Sequence, residues 1–215
     1  MILSTKHKFI FWHIPKTAGT SIRYQLEEHG VDLDRLFGHR WAARYPWPNN
    51  WRHIDQEDFK REIANTGLQT ARYKELAFVR NPYYRAVSLY NFSKYRPPTD
   101  RVGRPFQPSS ECTFDEYFET EMTRTDASWI ARRQVHWTKY PLNNEVKVFK
   151  FEDLPQAWQE LQDYVGLTLG PLERHNITAE LTTTPLFTVD QLSQSQRDRI
   201  YEYNQEDFEA FGYER

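Results

Sequence analysis

Cysteine is almost missing from this chain: among 215 residues only Cys112 carries a thiol. A lone cysteine forms no intrachain disulfide and supplies no thiolate cluster for a metal. That usage fits a reducing compartment. Long apolar runs are missing as well, and none approaches the ~20 residues of a membrane span. Met1 to Lys8 is too short and too polar for a signal peptide. The expectation is a cytoplasmic protein without a membrane span. An excess of either charge is lacking too: 28 Lys and Arg stand against 30 Asp and Glu, for a formal net charge of −2. No nucleic-acid partner is expected on that basis. The chain shows no internal repeat, no low-complexity tract, no His-Glu-x-x-His and no paired Asp site, so no metal is implied. What is present is an apolar share of 39% and an aromatic share of 16%. That is enough to bury the core of one domain of ordinary size, residues 1–215.

The chain is organised around Phe9-Ile10-Phe11-Trp12-His13-Ile14-Pro15-Lys16-Thr17-Ala18-Gly19-Thr20-Ser21. An apolar run stops at Pro15, and a helical pattern starts four residues later. It sets Ile22 and Leu26 on one face and Arg23, Glu27 and Glu28 on the other. The pattern predicts a buried strand, a tight loop and a helix from Gly19 to Glu28, stopped by His29-Gly30. Backbone N–H groups at a helix start favour an anion, as does the macrodipole. Lys16 adds a positive charge, and Thr17, Thr20 and Ser21 add hydroxyls, so the loop suits a phosphate. It is not a Walker A loop, which places its Lys after the second Gly. Here Lys16 precedes the only Gly of the loop, which sets the ammonium near the bond that breaks.

Further along, Val31 to Arg40 predicts a short strand or turn that delivers Gly38-His39 to a loop. Trp41 to Trp51, with Tyr45, Trp47, Pro46 and Pro48, reads as an irregular aromatic loop. A helix is expected from Asp55 to about Asn65 and a buried strand over Glu75–Arg80. Pro82 opens the next helix, which runs to Lys94. Arg96 to Ser110, with four prolines and Arg96, Arg101 and Arg104, reads as a long surface loop. Thr113–Glu116 is a capping box, and a helix is expected over Asp126–Trp137. Glu145–Phe151 predicts a third strand and Gln156–Val165 a helix. Two more capping boxes, Thr188–Gln191 and Ser193–Gln196, introduce helical segments to about Phe211. Alternating strands and helices argue an α/β class: a three-layer, P-loop-like fold, with a central parallel sheet and helices on both faces. Ligands of such sheets bind at the carboxyl ends of the strands, where Lys16, Arg80 and Glu152 fall.

Arg80-Asn81-Pro82-Tyr83-Tyr84-Arg85-Ala86-Val87-Ser88 repeats the strand-to-helix construction. An Arg fork at the strand end and the Ser88 hydroxyl two turns on can bind a second phosphate. These two stretches carry a resemblance. Pro15-Lys16-Thr17-Ala18-Gly19-Thr20-Ser21 resembles the 5′-phosphosulfate loop of sulfotransferases that use 3′-phosphoadenosine 5′-phosphosulfate (PAPS), closest to the carbohydrate (Golgi-type) branch. Arg80, Pro82, Arg85 and Ser88 match the spacing of that family's 3′-phosphate motif. Phe149 to Leu154, His175-Asn176 and Asp207-Phe208 with Phe211-Gly212-Tyr213 are weaker echoes, and Arg132 and Gln134 match only loosely. Eukaryotic Golgi members carry a membrane anchor; no run in this sequence is long enough for one, which is expected either of a cytosolic version, bacterial or viral, or of a trimmed chain.

The resemblance implies a PAPS-dependent transfer of a sulfuryl group to a hydroxyl, of a carbohydrate in the first instance, leaving adenosine 3′,5′-bisphosphate and using no metal. Lys16, Thr17, Ala18, Gly19, Thr20, Ser21, Arg80 and Ser88 are then the cofactor-binding residues. Lys16 stabilises the leaving phosphate in an in-line transfer that resembles phosphoryl transfer. His39 matches the family's catalytic base, and an imidazole suits that task. His13, at the strand end beside Lys16, reads as structural. Glu152 is an alternative base to His39, or it orients Lys16 or Arg80, or caps its helix. The aromatic loop 41–51 and the basic loop 96–110 are candidates for a small-molecule or glycan acceptor, or simply for core and solvated surface. Two other functions remain open on sequence: a P-loop-like nucleotide or small-molecule kinase, and a non-catalytic module binding a nucleotide or glycan.

Overall fold

The computed structural model describes residues 1–28, 30, 56–64, 69–95, 112–122, 132–143, 145–175 and 178–215. Expectations for 31–51, including His39 and the aromatic loop, lie outside them, as do those for 96–110. The chain forms two compact units. The first comprises Met1–Val79 and Gln134–His175, the second Arg80–Arg133 and Asn176–Arg215.

The first unit is built on a four-stranded sheet in the order β1 (Ile2–Ser4), β2 (Phe9–Trp12), β3 (Lys74–Val79) and β4 (Val146–Lys150). β2, β3 and β4 are parallel, with Phe11 opposite Leu76 and Phe78 opposite Phe149. The parallel sheet expected from the sequence is therefore present, with an added edge: β1 runs antiparallel to β2. Three residues are too few to show a period-2 pattern, and only pairing reveals the strand.

Side chains alternate between the two faces of the sheet. On one face Phe9, Phe11, Leu76, Phe78 and Phe149 form a core with Ile22 and Leu26 of α1 (Gly19–Glu28). Ala157, Trp158, Leu161 and Val165 of α5 (Leu154–Val165) complete it. Their spacing puts all four on one stripe of that helix. Gly166 ends it in the left-handed conformation, φ 76°, the usual helix stop. On the opposite face Trp12 packs edge-on against Phe59 of α2 (Gln56–Ile63), ring centroids 5.4 Å apart. Helices thus cover both faces.

The second unit is helical: α3 (Pro82–Tyr95), α4 (Phe114–Tyr117) continued by a π turn at Phe118–Met122, and α6 (Gln194–Phe211). Tyr83, Leu89, Tyr90, Phe114, Tyr117, Ile200 and Phe208 lie in its core. All three predicted capping boxes form, with reciprocal bonds at Thr113/Glu116, Thr188/Gln191 and Ser193/Gln196. The helix expected over Asp126–Trp137 requires correction in its described part. Residues 132 and 133 are not helical, and Gln134–Trp137 is a single 3-10 turn. Gln134, Val135 and Trp137 are all buried there. Burying three of four successive residues suits a tight turn better than an amphipathic helix with one apolar stripe.

Candidate active site

In the first unit the parallel strands leave the sheet at one edge, and the Pro15–Ala18 turn stands there, directly after β2. Its backbone is unusual. Lys16 and Ala18 both adopt left-handed φ values, 69° and 67°. That conformation costs an L-residue roughly 1–2 kcal/mol, and such strain persists only where surrounding contacts over-determine it. Two contacts are local. The Ile14 N–H donates to the Trp12 carbonyl at 3.1 Å, and the fully buried Thr17 hydroxyl donates to the Ile14 carbonyl at 2.9 Å.

The helical ladder of α1 begins with the Ile22 N–H on the Ala18 carbonyl, 3.1 Å. The N–H groups of Gly19, Thr20 and Ser21 therefore precede the ladder, as helix geometry requires, and stand at the end of α1 that favours negative charge. Lys16, Ala18 and Thr20 are half-buried while Thr17, Gly19 and Ser21 are buried. Ser21 also receives a bond the sequence did not signal: its Oγ accepts the His175 N–H at 3.0 Å. That hydroxyl keeps its own proton to donate. The His175 ring lies 4.8 Å from that of Tyr24, and Gln25 Nε2 donates to the Leu169 carbonyl at 3.1 Å. The segment before His175 is thereby tied to α1.

Glu75, the second residue of β3, is a buried carboxylate that sequence reading passed over. It accepts the Trp12 Nε1–H at 3.1 Å and the Asn143 N–H at 2.9 Å. Burial pushes its pKa above the ordinary 4.5, against these hydrogen bonds and the charge of Lys60. Glu152 is exposed in the 3-10 turn Phe151–Asp153 after β4. His13 is buried, its ring stacked at 6.0 Å on Phe11.

In the second unit Arg80, the residue after β3, is half-buried. Asn81 caps the following helix: its Oδ1 accepts the Tyr83 N–H at 3.0 Å, and its carbonyl accepts the Arg85 N–H at 2.9 Å. Ser88 is half-buried two turns further on. Arg85, which shares the motif, is 2% exposed. Burial lowers its pKa, and Asp207, Tyr203 and Tyr117 oppose that fall. Arg85 is thus an interior residue of this unit, within reach of the charge of Asp207 on α6. The sequence contained both residues within the family echoes, but nothing in it paired them.

Two strand ends open into turns rich in N–H donors and cations, and neither turn carries a Walker signature. A family model described as the sulfotransferase family matches residues 1–214. The chain belongs to the sulfotransferase family. It is a PAPS-dependent type, akin to the carbohydrate sulfotransferases, and its α/β sheet with helices around it is consistent with that fold. Sulfuryl transfer is accordingly its class of reaction, with a small molecule or a glycan as the class of acceptor. No curated protein and no solved structure gives a significant match. Among the described residues no helix is long and apolar enough to cross a membrane, and no group of three His, Cys, Asp or Glu is placed to hold a metal ion.

Proposed function

We propose that this sulfotransferase moves the sulfuryl group of PAPS to a hydroxyl of a carbohydrate. The carrying observation is the strained Pro15–Ala18 turn, which presents Lys16 and the first N–H groups of α1 at the edge where β2 ends. Such a cradle fits a 5′-phosphosulfate by charge and by donor count. PAPS supplies the activated sulfur, and this chain supplies the setting. Lys16 stands by the bridging oxygen and stabilises the charge that grows on the phosphate. The N–H groups of 18–21 and the Thr20 and Ser21 hydroxyls hold the remaining oxygens. Thr17 braces the turn from within through Ile14. Arg80 and Ser88 take the 3′-phosphate, and the Asn81 cap orients the start of their helix. His39 accepts the acceptor's proton as the new oxygen–sulfur bond forms and the old one breaks, releasing adenosine 3′,5′-bisphosphate. The family match runs through both units, which supports one functional domain over residues 1–215. A single, buried thiol suits a reducing, cytoplasmic setting.

The test uses radiolabelled PAPS with a panel of glycans, lipids and phenols. Lys16→Ala is expected to abolish transfer, and His39→Ala to lower kcat by about 10²-fold or more while bisphosphate binding stays. Arg80→Ala is expected to act mainly on the KM for PAPS. Labelling of phenols but never of glycans would overturn the carbohydrate acceptor. Full activity of His39→Ala would remove the base. Stabilisation by ATP with magnesium, and none by the bisphosphate, would favour a kinase instead.

A further inference from the structure

A Cβ built on Gly19 would fall 1.9 Å from His13 Cδ2, 2.2 Å from Nε2 and 2.7 Å from Cγ. These are far inside van der Waals contact, so the imidazole stands where a side chain at position 19 would stand. The ring is held there: it is 5% exposed and stacks on Phe11 with an interplanar angle of 18°. Gly19 is the first residue of α1, with Ala18 at φ 67° just before it and Lys16 at φ 69° two residues earlier. The end of β2 and the start of α1 are therefore locked together across the base of the turn. The absence of a side chain on one partner admits the ring of the other.

We propose that His13 is a positioning residue for sulfuryl transfer. Its ring, seated in the space left by Gly19, fixes the first turn of α1 against the end of β2. It thereby holds the strained Lys16–Ala18 backbone in its anion-binding shape. The interlock is one of the contacts that keep two left-handed residues in place. It acts through shape, and its effect falls on the 5′-phosphate end of the cofactor. The inference rests on the reading of this turn as the 5′-phosphosulfate site.

The test is a double-variant cycle on the full chain with Gly19→Ala, His13→Ala and His13→Ala/Gly19→Ala. Calorimetric titration reads the affinity for adenosine 3′,5′-bisphosphate and for adenosine 3′-monophosphate, which lacks the 5′-phosphate. Each single variant is expected to lose about tenfold or more in bisphosphate affinity while the monophosphate affinity stays within about twofold. The double variant, in which the new methyl enters the space vacated by the ring, is expected to bind the bisphosphate about fivefold or more tightly than Gly19→Ala. A double variant no better than Gly19→Ala would overturn the interlock. So would a Gly19→Ala protein that binds like the wild type, or equal losses for both ligands. Should Gly19→Ala fail to fold, the double variant must regain a cooperative melt, and its failure to do so also overturns the proposal. If the wild type binds no bisphosphate at all, the cofactor reading falls. The interlock is then judged by melting alone, with the double variant required to melt above Gly19→Ala.

Discussion

At Ala18 a side chain sits where the backbone prefers none, φ 67°. The chemistry of the turn explains why a methyl is tolerated and a branched side chain is not. A Cβ in the left-handed region crowds the following carbonyl, and a second γ-carbon adds to that crowding. Ala18→Gly is expected to keep both melting temperature and bisphosphate affinity, because relief of strain offsets the extra freedom of the unfolded chain. Ala18→Val is expected to lose about 1–3 kcal/mol of stability and most of the affinity. Parallel melts and titrations of the two variants check this, and an Ala18→Val protein equal to wild type would refute it. Glu75 supports a second prediction at this scale. Its carboxyl has a pKa raised by burial above 4.5, so the unfolded chain ionises before the folded one. The stability it contributes is complete below pH 4.5 and is lost as pH rises from there through the folded value. Each pH unit in that window removes about 1.4 kcal/mol. Wild type relative to Glu75→Gln should therefore weaken as pH rises above 4.5, then level off. A difference that is flat with pH would show that Glu75 does not titrate with folding.

Among the elements, helix starts were the most legible features. Thr113, Thr188 and Ser193 each precede by three residues a Glu or Gln that closes the box, and all three boxes form. Capping is local: donor, acceptor and spacing lie within four residues, so sequence alone contains it. Ser193→Ala should cost about 1 kcal/mol, read by urea denaturation, because α6 carries Asp207 and Phe208 into the second unit's core. An unchanged midpoint would mean that α6 is held by packing alone. Less legible were elements shaped by burial. The Gln134–Trp137 turn has the apolar content of a helix, yet three buried residues in four settled it as 3-10. Asn204 breaks the helical dihedrals inside α6, at φ −108° and ψ 20°, while its side chain donates to the Ile200 carbonyl at 2.8 Å. No periodicity marks that kink, although the bond that accompanies it spans only four residues.

For the molecule as a whole, sulfotransferases generally use PAPS, and the proposed reaction requires that a nucleotide with two phosphate ends bind to the native fold. A ligand that binds only that fold stabilises it in proportion to the logarithm of its concentration. Adenosine 3′,5′-bisphosphate at one hundred times its Kd should add about 2.7 kcal/mol to the unfolding free energy, and Lys16→Ala should remove most of that gain. A melting temperature that ignores the bisphosphate would count against the proposed cofactor site. The sequence by itself determined the parallel strands, the turns after β2 and β3, the helix that follows each, the capping boxes and the family. All of these are written in contiguous residues, where chain connectivity supplies the geometry. Only the tertiary structure decided that β1 joins the sheet edge, that Arg85 is buried toward Asp207, that Ser21 takes the His175 N–H, and that His13 fills the place of a side chain at Gly19. Most of these pairings join segments far apart in the chain, and the His13 contact depends on how the turn folds back. Such contacts are selected by shape and desolvation in a packed interior, and no local spacing encodes which partner arrives.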